Sequence, residues 1–364
     1  MKLANRIVTN LSMALFFFFF AQPAIALPEG FSLKLYAVGL PDARSLALGD
    51  HGEVYVGTRT EGKIYAVVDA DKDGQADKIY TLAEGLSLPN GVAFHDGDLY
   101  AAEVSRILRF KGVGSRLDHP PEAEIIRDRL PRNAHHGWRY LRVGTDNRLY
   151  ISIGVPCNVC KRDNSLFGTL IRLELDGSNL EILAKGIRNS VGFDWHPETG
   201  SLWFTDNGRD HLGDDQPADE LNVLTEKGQH FGFPWCHGKA LTDPGMGTPL
   251  KPCERFEPPA WEFMAHSAAL GIHFYTGEMF PSQYKEQLFV ALHGSWNRSS
   301  PSGYKIVTLE FKDGLPNKEA VFHEEVTRFQ GKKPVRPVDF LQLPDGSLLF
   351  SDDRRGVIYR ISWQ

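Results

Sequence analysis

One pattern returns six times along this chain, and a unit of that kind cannot bury its own faces. From about residue 42 onward, each copy has an apolar strand, a Gly-containing turn and a strand running to Tyr or Phe. A third strand rich in Ile and Arg follows. The copies open with residues 45–56, 90–101, 141–151, 191–204, 271–291 and 338–350. They close on residues 63–67, 106–110, 169–173, 220–224, 304–309 and 357–361. Each has roughly 56 residues, room for four short strands and their loops, and such units must pack radially around a channel. The expectation is an all-β chain, with residues 27–364 forming a single six-bladed β-propeller. The 35 Gly and 22 Pro suit its many turns. The strand Val357–Ile361 should complete the ring near the start of the domain. Two long stretches, residues 111–137 and 232–268, read as insertions in loops of the kind that build sites in propellers.

Residues 1–26 read as a signal peptide. Lys2 and Arg6 form its basic start, Leu11 to Phe20 its apolar core, and Ala24-Ile-Ala26 a small-residue cleavage point. The apolar core is too short for a bilayer span, and no second such run follows, so no membrane span is expected. The chain is read as exported across the inner membrane, to the periplasm or beyond. The formal charge of −6 becomes −8 without Lys2 and Arg6, which argues against nucleic acid as a partner.

The four cysteines fit export. Cys157 and Cys160 sit in Pro-Cys-Asn-Val-Cys-Lys, and Cys236 and Cys253 flank a Pro/Gly-rich loop. Zinc would want two short-spaced pairs, and haem attachment a His where Lys161 stands. A redox-active pair lacks a thioredoxin-like surrounding. Two locally paired structural disulfides are expected.

Two stretches concentrate oxygen ligands. Residues 206–220 carry Asp206, Asn207, Gly208, Asp210, Asp214, Asp215, Asp219 and Glu220, just after the strand signal at 201–206. Their mutual repulsion would be relieved by a hard cation such as calcium, although a solvated acidic loop gives the same charge pattern. Arg188 and Asn189 precede the same hairpin, so the pair of features reads as a site for an anionic ligand held by a metal. Residues 69–77 place Asp69, Asp71, Asp73 and Asp77 at positions 1, 3, 5 and 9, with Gly74 at 6, like the front of an EF-hand loop. Tyr80 stands where the bidentate Glu would be. This second loop is expected to staple a blade hairpin with calcium; a metal-free polar hairpin is the alternative.

His135 and His136 lie at the entrance to the third copy, Arg336 opens the sixth, and His293-Gly-Ser-Trp-Asn-Arg298 follows a strand of the fifth. An imidazole at such a strand end is a candidate general base.

These segments together resemble the sorbosone/glucose dehydrogenase family, exported propellers that use pyrroloquinoline quinone (PQQ), and most of all its aldose sugar dehydrogenase branch. The matching runs are residues 135–144, 186–192, 206–215 through 219–222, 230–235, 293–299 and 336–339. The resemblance implies a PQQ- and calcium-dependent dehydrogenase acting on aldose sugars or related alcohols and aldehydes, and passing electrons to an acceptor it does not identify. It implies His136 as base, with Arg188 stabilising the developing oxyanion. His135, Arg188, Asn189, Arg336 and Arg298 would meet the cofactor, and Gly208, Arg209 and Asp210 its calcium. An ordinary imidazole at position 136 would make the rate rise with pH through the neutral range. The chain departs from the glucose-oxidising members in having Val338 where they carry a second Arg, and Ser295-Trp-Asn-Arg298 where they place a Lys. Calcium-dependent propeller lactonases or esterases, and a non-catalytic binding propeller, are the alternatives.

Overall fold

The computed structural model describes residues 27–324 and 334–364; the expected signal peptide lies outside them. Six four-stranded antiparallel sheets stand around a central channel. Blade 1 is built from Ala43–Leu48, Val54–Thr58, Ile64–Val68 and Lys78–Ala83; blade 2 from Gly91–His95, Asp98–Ala102, Ile107–Phe110 and Glu124–Arg127. Blade 3 runs Leu141–Val143, Leu149–Ile153, Thr169–Leu173 and Glu181–Lys185, with the two-residue strand Gln229–His230 added in parallel at its edge. Blade 4 is Phe193–Trp195, Leu202–Asp206, Asp219–Leu224 and Trp261–Phe263; blade 5 is Ala269–Phe274, Leu288–Leu292, Lys305–Lys312 and Leu315–Glu324. Blade 6 takes Pro337–Gln342, Leu348–Asp352 and Val357–Trp363 from the C-terminal end, and Phe31–Val38 from the start of the domain. The ring therefore closes where it was expected to, on residues 357–361.

Each blade has a neighbour on both faces, and the core follows from that. Six apolar clusters fill the six gaps between adjacent blades. The second strand of every blade is consequently buried at all five residues. Leu202–Asp206, the strand signalled at 201–206, accordingly has no wet face. A seventh, small cluster joins Val191, Leu270 and Val338, at or beside the first strands of blades 4, 5 and 6, with Trp138 against it. Val338, the departure noted above, is thus an apolar wall residue.

The two supposed insertions are corrected. Residues 111–137 contain the fourth strand of blade 2, and residues 232–268 the fourth strand of blade 4. The rest of the second stretch is pinned by the Cys236–Cys253 disulfide and a small hairpin, Cys236–His237 with Leu241–Thr242. Cys157–Cys160 is the other bridge, so both local pairings expected from the sequence are present.

Candidate active site

At one end the channel opens into a cavity of about 350 Å³. Most of its lining comes from short segments just before the first strand of a blade or just after the second, which antiparallel pairing brings to the same end. Arg188 and Asn189 precede blade 4, Arg336 precedes blade 6, and His135, His136 and Trp138 precede blade 3. Gly208 and Asp210 follow the second strand of blade 4. The structure thus brings together most of the residues singled out in the sequence. Four guanidinium groups (Arg44, Arg59, Arg188 and Arg336) face two carboxylates of the lining, Asp210 and Asp219. Cationic groups therefore outnumber carboxylates in the lining.

His136 is buried in a left-handed backbone conformation, φ 49°. Its Nδ1 stands 2.8 Å from the Val155 carbonyl oxygen, which can only accept, so Nδ1 carries the proton and Nε2 is an acceptor. Gly154 makes the approach possible, because a Cβ there would lie 2.7 Å from the His136 Cβ and 3.0 Å from Asn189 Oδ1. Burial, and then the Arg188 charge and His135, push the His136 pKa down to about 2. In the ligand-free protein this ring is therefore held neutral through the neutral pH range. His135, 4.1 Å away between ring centroids, is also shifted down, by burial and Arg188.

Arg188 is almost fully committed to the protein. Its Nε donates to the Asn158 carbonyl (2.9 Å) and its Nη1 to the Asn207 carbonyl (3.1 Å). Nη2 reaches Asn158 Oδ1 (2.9 Å) and Asp210 Oδ2 (3.2 Å). Arg336 is held through a relay. Its Nη2 donates to His293 Nδ1 (2.8 Å), His293 Nε2 donates to Asp353 (2.9 Å), and Asp353 accepts from Arg44 Nη1 (2.9 Å). An Arg at Nδ1 forces His293 to donate at Nε2, and burial keeps the ring neutral with a pKa of about 4.

The acidic stretch 206–220 divides in two. Asp206 accepts the backbone N–H groups of Arg188 (2.8 Å) and Asn189 (2.6 Å), and Asp219 those of Gly208 (2.8 Å) and Ala268 (2.7 Å). Glu220 accepts from Gly238 (2.7 Å). These three carboxyls are buried scaffold, and burial raises their pKa values, Asp219 to about 6 and the Asp206–Glu220 pair well above the usual carboxyl range. Asp214 and Asp215 lie at the surface, where they hold Ser299 and Arg298. Arg298 is thereby turned onto the 214–215 loop and does not line the cavity, and the Arg209 side chain is turned to Asp243 (2.5 Å). Neither side chain is placed to meet a ligand in the cavity. The sequence reading overlooked Arg44, Arg59 and His266. For Arg44 a signal existed: like Arg188 and Arg336, it is a cation standing within three residues of an apolar copy start.

The 69–77 loop joins the third and fourth strands of blade 1, outside the cavity. Carboxylate oxygens of Asp69, Asp71 and Asp77 lie within 4.8 Å of one another. Asp73 is outside that group; its Oδ1 accepts from Gln75 N at 2.7 Å and caps the turn. Asp69 Oδ1 is buried with no hydrogen-bond partner among the described residues. The loop abuts Arg360 of blade 6, whose Nη1 would lie 2.0 Å from a Cβ at Gly74.

A family model described as TrAA12-like matches residues 25–364. An uncharacterized protein of Borreliella burgdorferi is 35% identical over 354 residues, covering 93% of this chain and 91% of its own. Among solved structures, a calcium structure of a Trichoderma reesei carbohydrate-active enzyme of family AA12 superposes with a TM-score of 0.81 at 20% identity, covering 94% of this chain and 98% of that one. The holo PQQ domain of a pyranose dehydrogenase from Coprinopsis cinerea gives 0.77 at 18%, covering 93% and 96%. At those identities the two likenesses speak for the fold.

Proposed function

This chain belongs to the TrAA12-like family, and from that premise we propose that it is an exported, PQQ- and calcium-dependent dehydrogenase oxidising aldose sugars or related alcohols and aldehydes. The observation that carries the proposal is the neutral His136, its Nε2 left as an acceptor, in a cavity walled by four arginines. The donor set suits a flat tricarboxylate. Among the described residues, Arg336 makes no hydrogen bond through Nη1, and Arg59 Nε is buried with no partner. A cation on the Gly208–Asp210 segment is supported by the backbone. Among the described residues, no hydrogen bond reaches the Gly208 or Arg209 carbonyl oxygen. Those carbonyls, with Asp210, would hold calcium, and Arg336, Asn189 and His135 would hold the quinone.

Bound there, PQQ would supply a hydride acceptor and calcium a Lewis acid. The chain's own part is to take and hold charge. His136 Nε2 would receive the substrate hydroxyl proton, and Arg188, fixed by Asn158, Asn207 and Asp210, would present a cation toward the developing negative charge without reorganising. The test is reconstitution of the purified protein with PQQ and calcium, followed by dye reduction with a panel of aldoses, polyols and aldehydes. PQQ-dependent reduction by one substrate class is the expected result. Failure to bind PQQ, or lactone hydrolysis with calcium alone, would overturn it.

A further inference from the structure

The Pro-Cys-Asn-Val-Cys-Lys segment stands in the loop between the second and third strands of blade 3, and the function proposed above does not use its disulfide. Among the described residues, 156–163 of this loop make no backbone–backbone hydrogen bond. Two things fix their shape: the Cys157–Cys160 bridge, and the contacts of Asn158, one of the two residues it encloses. Asn158 makes four such contacts. Its carbonyl accepts from Arg188 Nε (2.9 Å) and its Oδ1 from Arg188 Nη2 (2.9 Å). The same Oδ1 accepts from the Asp210 backbone N–H (2.8 Å), and Nδ2 donates to the Asp210 carbonyl (3.1 Å). Just upstream, Val155 accepts from His136 Nδ1 and donates its N–H to the Arg188 carbonyl (2.9 Å).

We propose that the Cys157–Cys160 bridge is a positioning clamp for the site: it holds Asn158 where one side chain sets both the Arg188 guanidinium and the Asp210 segment of the loop after the second strand of blade 4. A loop without ladder hydrogen bonds would otherwise wander, and the two segments of blade 4 that carry Arg188 and Asp210 would lose the reference blade 3 gives them. Asn suits the position because it offers an acceptor and a donor from one short planar group. Asp would keep both contacts to Oδ1 and lose only the donor to the Asp210 carbonyl. Ala would lose all three side-chain contacts and leave the carbonyl contact to Arg188 Nε.

This inference rests on the PQQ reading for its kinetic arm alone. The first arm uses the metal-free, cofactor-free protein, and follows hydrogen exchange of the Asp210 amide in wild type, Asn158→Ala and the double variant Cys157→Ser/Cys160→Ser. Serines are preferred to a reductant, which would also open Cys236–Cys253. Exchange about tenfold faster or more in both variants is expected, because each loses the hold on that N–H. Unchanged exchange in the serine variant overturns the clamp, whatever the protein's activity. The second arm loads the proteins with PQQ and calcium and measures turnover of the best aldose. Asn158→Ala should lower kcat about ten- to a hundredfold with little change in KM, the cost of a lost hydrogen bond to a charged group. Asn158→Asp should recover most of it. The serine pair should cost less in the Asn158→Ala background than in wild type, because it acts partly through that side chain. Strictly additive costs, or an Asn158→Asp no better than Asn158→Ala, would overturn the proposal. If wild type binds no PQQ, the function reading fails and the exchange arm still decides the clamp.

Discussion

Burial and the Arg188 guanidinium hold the His136 ring neutral far below the pH at which an ordinary imidazole protonates. That guarantees the basic form at any working pH, yet a ring so hard to charge is a poor acceptor of protons. A tricarboxylate seated among the arginines would offset their field and raise its basicity, so the proposed ligand also tunes the proposed base. His136→Ala should then cut turnover about a hundred- to ten-thousandfold while PQQ still binds, since the arginines remain. His135→Ala should cost less. Near-full turnover in the first variant, with PQQ and calcium saturating, or a larger loss in the second, would reject the assignment. Glu220 poses the opposite problem, a buried acid whose pKa is raised by burial first and by Asp206 second. Its folded value lies above its unfolded one, so its contribution to stability is full below the unfolded value and is lost as pH rises through the folded one. Glu220→Gln, which stays uncharged, should raise Tm by several degrees at pH 8 to 9 and by little near pH 4, in protein treated with a chelator. A gain that is the same at both ends of the range would show that the carboxyl does not titrate there.

The elements best read from the sequence are those whose burial leaves a strong pattern. The second strands, such as Leu149–Ile153 and Leu288–Leu292, are buried at every residue and announce themselves as apolar runs. The fourth strands do not. Glu124–Arg127 is exposed or half-buried throughout, and Trp261–Phe263 has three residues after a Pro-rich stretch, so both passed for insertions. The same logic holds at the site. Arg188 and Asn189 were legible as a cation and an amide set ahead of an apolar start, whereas Asn158 was hidden inside a pair of cysteines that already had an explanation. Arg298 was misplaced because a motif gives a residue's neighbours in sequence and not its salt partner, here Asp215. The 69–77 hairpin is the element whose role is most open to trial. Its carboxylates converge outside the cavity and against Arg360 of the last blade. Asp71→Ala should therefore remove most of any calcium-dependent rise in Tm while PQQ-dependent turnover stays within about twofold, surface changes away from a site being nearly neutral. Loss of PQQ binding in folded Asp71→Ala protein would reverse the roles given to the two loops.

At the scale of the whole molecule the propeller has one seam. In blades 1 to 5 the four main strands follow one another in sequence order, and blade 6 alone joins the two ends of the domain, through Phe31–Val38 on Val357–Trp363. The seam strand serves two gaps at once: Phe31 and Leu33 pack toward blade 5, Tyr36 and Ala37 toward blade 1. Peeling it away would open both clusters, so the seam is where the ring's cooperativity is most exposed to fraying at the start of the chain. Ser32 and Ser362 sit directly opposite each other across it, with Oγ atoms 2.8 Å apart. Opposed residues in an antiparallel pair have Cα atoms about 4.5–5.5 Å apart, within the span of a disulfide. A Ser32→Cys/Ser362→Cys bridge would close a loop of 330 residues in sequence separation. The chain-entropy relation assigns such a loop about 5–6 kcal/mol at most, less whatever strain the bridge introduces. Oxidised double variant should melt several degrees above wild type, with the single variant Ser32→Cys no more stable than wild type and cavity chemistry unchanged, since neither serine lies near the channel mouth. A fully formed bridge that leaves Tm where it was would mean that the ring first gives way at another gap between blades, and that the seam is not its weakest joint.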